Sequence, residues 1–130
     1  MPDKVLIVDD QKSIRQHIIK SLRGADYVFI EAEDGADGIE KLTENPDTCL
    51  ILSDVNMPNM NGISMLKAIR LISKHDHIPV LMLTAEISTE FVSIAKTIGA
   101  VGLIVKPFKP EMLSSAIRKI VDMRRNHSAA

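Results

Sequence analysis

Six polar side chains stand where short apolar runs end, five of them able to do chemistry together: Asp9, Asp10, Asp54, Thr84 and Lys106. Asp9-Asp10 follows Val5-Leu6-Ile7-Val8, Ser53-Asp54 follows Cys49-Leu50-Ile51-Leu52, Thr84 follows Val80-Leu81-Met82-Leu83, and Lys106 follows Val101-Gly102-Leu103-Ile104-Val105. Three carboxylates gathered in one cleft repel each other and raise some of their pKa values unless a cation compensates. A hard divalent cation with oxygen ligands suits them, and Mg²⁺ typically takes one or two carboxylates and keeps several waters. Lys106 offers a compact positive charge for a phosphate oxygen, and Thr84 a hydroxyl donor. An Asp nucleophile, a metal and a cation for the equatorial oxygens make an acceptor site for phosphoryl transfer. Singly, each residue is ordinary: an Asp pair makes a turn or cap, Lys-Pro a loop, and a Thr after a strand an N-cap. Their joint appearance at four strand ends carries the argument.

The elements must bring these ends together. With Tyr27-Val28-Phe29-Ile30 added, the apolar runs number five, and most lack the polar alternation of a sheet with one wet face. Helical spacing fills the intervals, in Ile14, Ile18, Leu22; in Ala36, Ile39, Leu42; in Ile63, Leu66, Ile69, Ile72; in Phe91, Ile94, Ala95, Ile98; and in Leu113, Ala116, Ile117, Ile120. Gly24 and Gly99 stand at expected helix C-termini and Ser88 at an expected N-cap. Alternating strand and helix predict an α/β fold, a flavodoxin-like (βα)₅ doubly wound parallel sheet of five strands in the order 2-1-3-4-5. In that order the first and third runs are neighbours, so Asp9, Asp10 and Asp54 converge, and the fourth and fifth runs set Thr84 and Lys106 beside them.

A length of 130 residues suits one domain, here 1–125, with 126–130 as a frayed tail or the start of a linker. The lone Cys49 excludes an internal disulfide and reads as a small buried residue in a cytoplasmic protein. A net charge of −1 gives no electrostatic signature of nucleic-acid or membrane binding, and no signal peptide is visible. No apolar stretch nears the roughly 18 residues that span a bilayer. Residues 33–44 imitate a calcium loop, but Gly35 occupies a ligand position, so a loop entering a helix is the better reading. His75 and His77 have no Cys or further His nearby and read as surface residues rather than a zinc site. The seven Met residues read as core and loop filler, and Arg118, Lys119, Arg124 and Arg125 as a solvated helix end.

From about Lys4 to Val121 the chain resembles the receiver domain of bacterial two-component response regulators, chemotaxis receivers above all. The likeness rests on Val8-Asp9-Asp10, Glu31-Ala32-Glu33-Asp34-Gly35, Asp54 with Asn56-Met57-Pro58, Gly62, Thr84-Ala85-Glu86 and Lys106-Pro107-Phe108. It implies phosphorylation on Asp54 by a sensor histidine kinase or a histidine phosphotransfer protein. It implies Mg²⁺ held by Asp10, Asp54 and the Asn56 carbonyl, with Asp9 attached more weakly. It further implies that Thr84 and Lys106 engage the phosphoryl group and that the Lys106–Pro107 bond is cis. Asn56 and Glu86 imply a short-lived acyl phosphate. Output is expected through the face of the fourth helix, fifth strand and fifth helix, towards an unnamed protein target. The family often carries Tyr or Phe three residues before the lysine; Leu103 stands there, so the signal is expected through the Thr84–Phe91 stretch rather than a side-chain switch.

Two other readings fit worse. A haloacid-dehalogenase-type phosphatase, an enzyme with turnover, expects Asp-x-Asp on its first strand, whereas Asp54-Val55-Asn56 follows the third run. A flavin carrier needs a phosphate cradle after the first strand, where Asp9-Asp10-Gln11-Lys12 is a poor one.

Overall fold

In the computed structural model, residues 2–85 and 88–129 are described, with residues 125–129 followed as backbone only. The elements alternate as β1 (Asp3–Val8), α1 (Lys12–Ser21), β2 (Tyr27–Ala32), α2 (Gly35–Glu44), β3 (Thr48–Asp54), α3 (Gly62–Arg70), β4 (Val80–Thr84), α4 (Thr89–Thr97), β5 (Gly102–Val105) and α5 (Pro110–Ala129). The strands form one sheet in the order β2-β1-β3-β4-β5, every neighbouring pair parallel.

The unbroken apolar run of β1 is explained by two cores. Val5 and Ile7 pack with Ile18, Leu22, Leu113 and Ile117 from α1, its C-terminal cap and α5. Leu6 and Val8 turn the other way, to Leu42, Met65, Leu66 and Ile69 from α2 and α3. Side chains alternate across a strand, so a sheet roofed by helices on both faces needs apolar residues at every position. The four side chains from Val5 to Val8 are all buried, each contributing about 1.5–3 kcal/mol relative to exposure. Cys49 is buried in the α1/α5 core.

Register then delivers the strand ends. Val8 pairs with Ser53, Asp54 with Leu83, and Thr84 with Val105. Asp9 and Asp54 stand one step beyond the Val8–Ser53 pair, on adjacent strands. Gly24 and Gly99 carry φ of 96° and 92°, the left-handed conformation that ends a helix. Ser88 caps α4, accepting a hydrogen bond from the Phe91 N–H.

Several sequence expectations are corrected. His75 is buried (4 % exposed), not on the surface, within the tight turns that follow α3; His77 is exposed. Ile72 lies past α3, which ends at Arg70. Ile94 is exposed, since the inward stripe of α4 narrows to Phe91, Ala95 and Ile98. Val101 precedes β5 and is exposed. Met65 and Met82 are core residues, but Met112 and Met123 are exposed. Helix α5 continues to Ala129, past Arg125, through residues that include no Gly or Pro to stop it. Among the described residues no helix is long and apolar enough to cross a membrane.

Candidate functional site

Asp9 is the inner wall of the site. Only 1 % of its surface is exposed, yet both carboxylate oxygens are satisfied: Oδ1 accepts the Gln11 N–H at 2.9 Å and Oδ2 the Lys106 ammonium at 2.9 Å. Its backbone is fixed as well, the N–H donating to the Ala32 carbonyl on β2 and the carbonyl accepting from Arg15 Nη1 at 2.8 Å. Arg15 is itself held by Glu31, Nε to Oε1 at 2.9 Å. Asp54 Oδ1 accepts the Val55 N–H at 2.8 Å and lies 3.2 Å from Lys106 Nζ. Asp10 is exposed, so the cluster is open to solvent on that side. One carboxylate oxygen from each of Asp9, Asp10 and Asp54 lies within 4.8 Å of the others. An all-oxygen set of this kind fits a hard cation such as Mg²⁺.

The electrostatics follow from this crowding. Burial pushes the Asp54 carboxyl above its ordinary range; the Lys106 charge opposes the shift and the Asp9 charge adds to it. Burial alone would lower the Lys106 ammonium, but hydrogen bonds and charge from Asp9 and Asp54 outweigh it and raise the pKa. Lys106 is a firmly charged counter-ion to two acids.

The remaining expected residues fall around this pair. Thr84, 2 % exposed, ends β4, and its carbonyl accepts the Lys106 N–H at 2.7 Å. The Lys106–Pro107 bond is cis. Asn56 is exposed on the loop after β3. Gly62 permits that loop to close: its N–H bonds to the Val55 carbonyl at 2.9 Å, and a Cβ there would collide with the Asp54 carbonyl oxygen. Glu86 lies outside the described residues.

The model of the response regulator receiver domain matches residues 5–118. The chain belongs to the response regulator receiver family. It is 37 % identical to the chemotaxis protein CheY1 of Helicobacter pylori, over 91 % of this chain and 96 % of that protein. With the chemotaxis protein CheY homolog of Campylobacter jejuni it shares 35 % identity across 98 % of both chains. Among solved structures, the chemotaxis protein CheY4 of Vibrio cholerae superposes with a TM-score of 0.86 at 41 % identity, covering 92 % of this chain and 99 % of that one. This is a CheY-like receiver domain of two-component signalling, and nothing supports the phosphatase alternative.

Residues that pattern reading missed support the site from behind. Arg15 was hidden because what it gives the site is a bond to the Asp9 backbone carbonyl, which no side-chain motif records. His17 stacks on Phe108, ring centroids 5.1 Å apart, bracing the turn after Lys106 against α1. Asn59 bonds to Asp34 at 2.9 Å, joining the loops after β2 and β3. Leu103, at the place of the usual aromatic, is partly buried and packs against the α2/α3 core.

Proposed function

We propose that Asp54 accepts a phosphoryl group from the phosphohistidine of a sensor histidine kinase or a histidine phosphotransfer protein. The observation that carries this reading is the bridge of Lys106 Nζ to Asp9 Oδ2 at 2.9 Å and Asp54 Oδ1 at 3.2 Å, inside an acidic cluster. An Asp54 oxygen attacks phosphorus, the donor's P–N bond breaks, and its electron pair leaves with the imidazole. Lys106 then exchanges a carboxylate partner for a phosphoryl oxygen, and the Thr84 hydroxyl donates to another. Asp10, Asp54 and the Asn56 carbonyl would hold Mg²⁺ directly, with Asp9 attached more weakly. When bound, the ion neutralises charge on the transferring oxygens.

Asp54 reaches solvent through the Asp10 side, so water removes the phosphoryl group and the phosphorylated state is short-lived. The protein is a cytoplasmic switch, without turnover on external substrates, and its receiver unit is residues 1–125. It signals to a protein target through the face of α4, β5 and α5, which exposes Ile94, Val101, Val105 and Met112. It has no role for direct nucleic-acid or membrane contact.

Incubation with a small-molecule phosphodonor and Mg²⁺ should add one phosphoryl group by intact-mass spectrometry, and EDTA should prevent it. Asp54→Asn should remain unmodified. An Asp54→Asn protein that gains phosphate as readily as the parent would overturn the assignment.

A further inference from the structure

The loop between β3 and α3 is held from outside by the start of α2. Asp34 caps α2, its Oδ1 accepting the Asp37 N–H at 2.8 Å, while its Oδ2 accepts from Asn59 Nδ2 at 2.9 Å. One residue on, the Gly35 N–H donates to the Met60 carbonyl at 2.8 Å. A Cβ at Gly35 would lie 2.7 Å from both Met60 Cγ and Met60 O, so the two loops touch without room for another atom. Asp34 is only 7 % exposed, and Asn59 has a φ of 63°, left-handed backbone that Asn tolerates better than most residues. A buried carboxylate and a residue in a sparsely used conformation thus meet five residues beyond Asp54, on the loop that carries Asn56.

We propose that Asp34 and Asn59 are positioning residues for the metal site: their bond fixes the loop of residues 55–61, and with it the affinity of the acidic cluster for Mg²⁺. Neither residue touches the ion. The inference rests on the metal site proposed above. Partners that hold ligands in place govern metal affinity in general, and their loss costs about 10–100-fold.

Asn59→Gly isolates the effect, because glycine adopts a positive φ without strain and removes only the side-chain bond. Asp34→Ser provides a second route: serine still caps α2 but is too short to reach Asn59. Mg²⁺ affinity by calorimetry should fall about tenfold in each variant. The melting temperature in EDTA should fall only by the contribution of the one lost side-chain bond, leaving Asn59→Gly folded at the temperature of the titration, which separates positioning of the site from support of the fold. The double variant should bind no more weakly than either single one, since both remove the same bond. Parental affinity in Asn59→Gly, or losses that add in the double variant, would overturn the proposal. A parent protein that binds no Mg²⁺ would instead overturn the metal site itself, and this inference with it.

Discussion

Lys106 Nζ and Asp9 Oδ2 lie 2.9 Å apart, although 97 residues separate them in the chain. Asp9 is withdrawn from water almost completely, and Lys106 is the cation paired with it. A buried carboxylate stripped of its cation is left with the full cost of desolvation. Lys106→Met should therefore destabilise the metal-free protein by about 2–3 kcal/mol, below the usual figure for an enclosed pair because Lys106 is partly solvated. Urea unfolding in EDTA measures this. Added Mg²⁺ should restore part of the loss by binding the folded state alone, and Lys106→Met as stable as the parent in EDTA would contradict the role given to the pair.

Asp10 is the exposed member of the acidic cluster and Asp3 lies at the opposite end of β1. Asp10→Ala should weaken Mg²⁺ binding by more than about tenfold, since even residues that merely support ligands cost that much. Asp3→Ala should leave it unchanged. Equal affinities for the two variants by titration would remove Asp10 from the ligand set.

Gly62 marks the closest packing behind Asp54. Its missing Cβ would strike the Asp54 carbonyl oxygen and sit 3.1 Å from Ser53 Oγ. Backbone cannot yield as a flexible side chain does, so Gly62→Ala should cost about 1–3 kcal/mol. The same displacement should slow phosphorylation of Asp54. Full stability and full phosphorylation rate in Gly62→Ala would show that the loop has slack.

The Asp34 carboxyl is held below the usual carboxylate range, first by the Asn59 side-chain amide and next by the Asp37 N–H. A folded-state pKa below the unfolded one contributes stability that is fully present above the unfolded value. That stability is lost as pH falls through the lowered folded value. In Asn59→Gly the Asp34 titration, followed by carboxyl carbon NMR, should move up towards the ordinary aspartate range. The stabilising contribution should shrink with it. An unmoved titration would assign the shift to the helix cap alone.

Leu103 is partly buried against the α2/α3 core, and it lacks the ring and polar tip of an aromatic that could alternate between an exposed and an inward position. Phosphorylation should accordingly be relayed by the backbone from Thr84 into α4. Hydrogen exchange with and without a beryllofluoride phosphate mimic should change at residues 84–92 and stay constant around Leu103. Changes confined to β5 would refute this route.

The fold was legible because its strands are buried on both faces. Apolar runs such as Val80-Leu81-Met82-Leu83 have few competing explanations in a chain this short, and the residue after each run is then located by topology alone. That logic placed Asp9, Asp10, Asp54, Thr84 and Lys106 at one end of the sheet. It failed where position depends on tertiary detail. Ile94 keeps helical spacing but faces outward, because a short helix beside the edge strand β5 has little sheet to cover. His75 looked polar and loop-borne, yet the turn connecting α3 to β4 buries it. Arg15 and Asn59 act on a backbone carbonyl and on a neighbouring loop, and neither relation leaves a spacing in the sequence.

Because β1 lies in the middle of the sheet, the order of synthesis and the order of assembly differ. Asp9 leaves the ribosome 97 residues ahead of Lys106, which follows the edge strand β5. Until that strand docks, a growing chain that has already paired β1 with β3 holds Asp9 and Asp54 side by side without their lysine. Charge repulsion at one end of the sheet then works against the apolar collapse along its length. The counter-ion thus arrives with the last strand, and the acidic cluster is complete only when the whole sheet is in place.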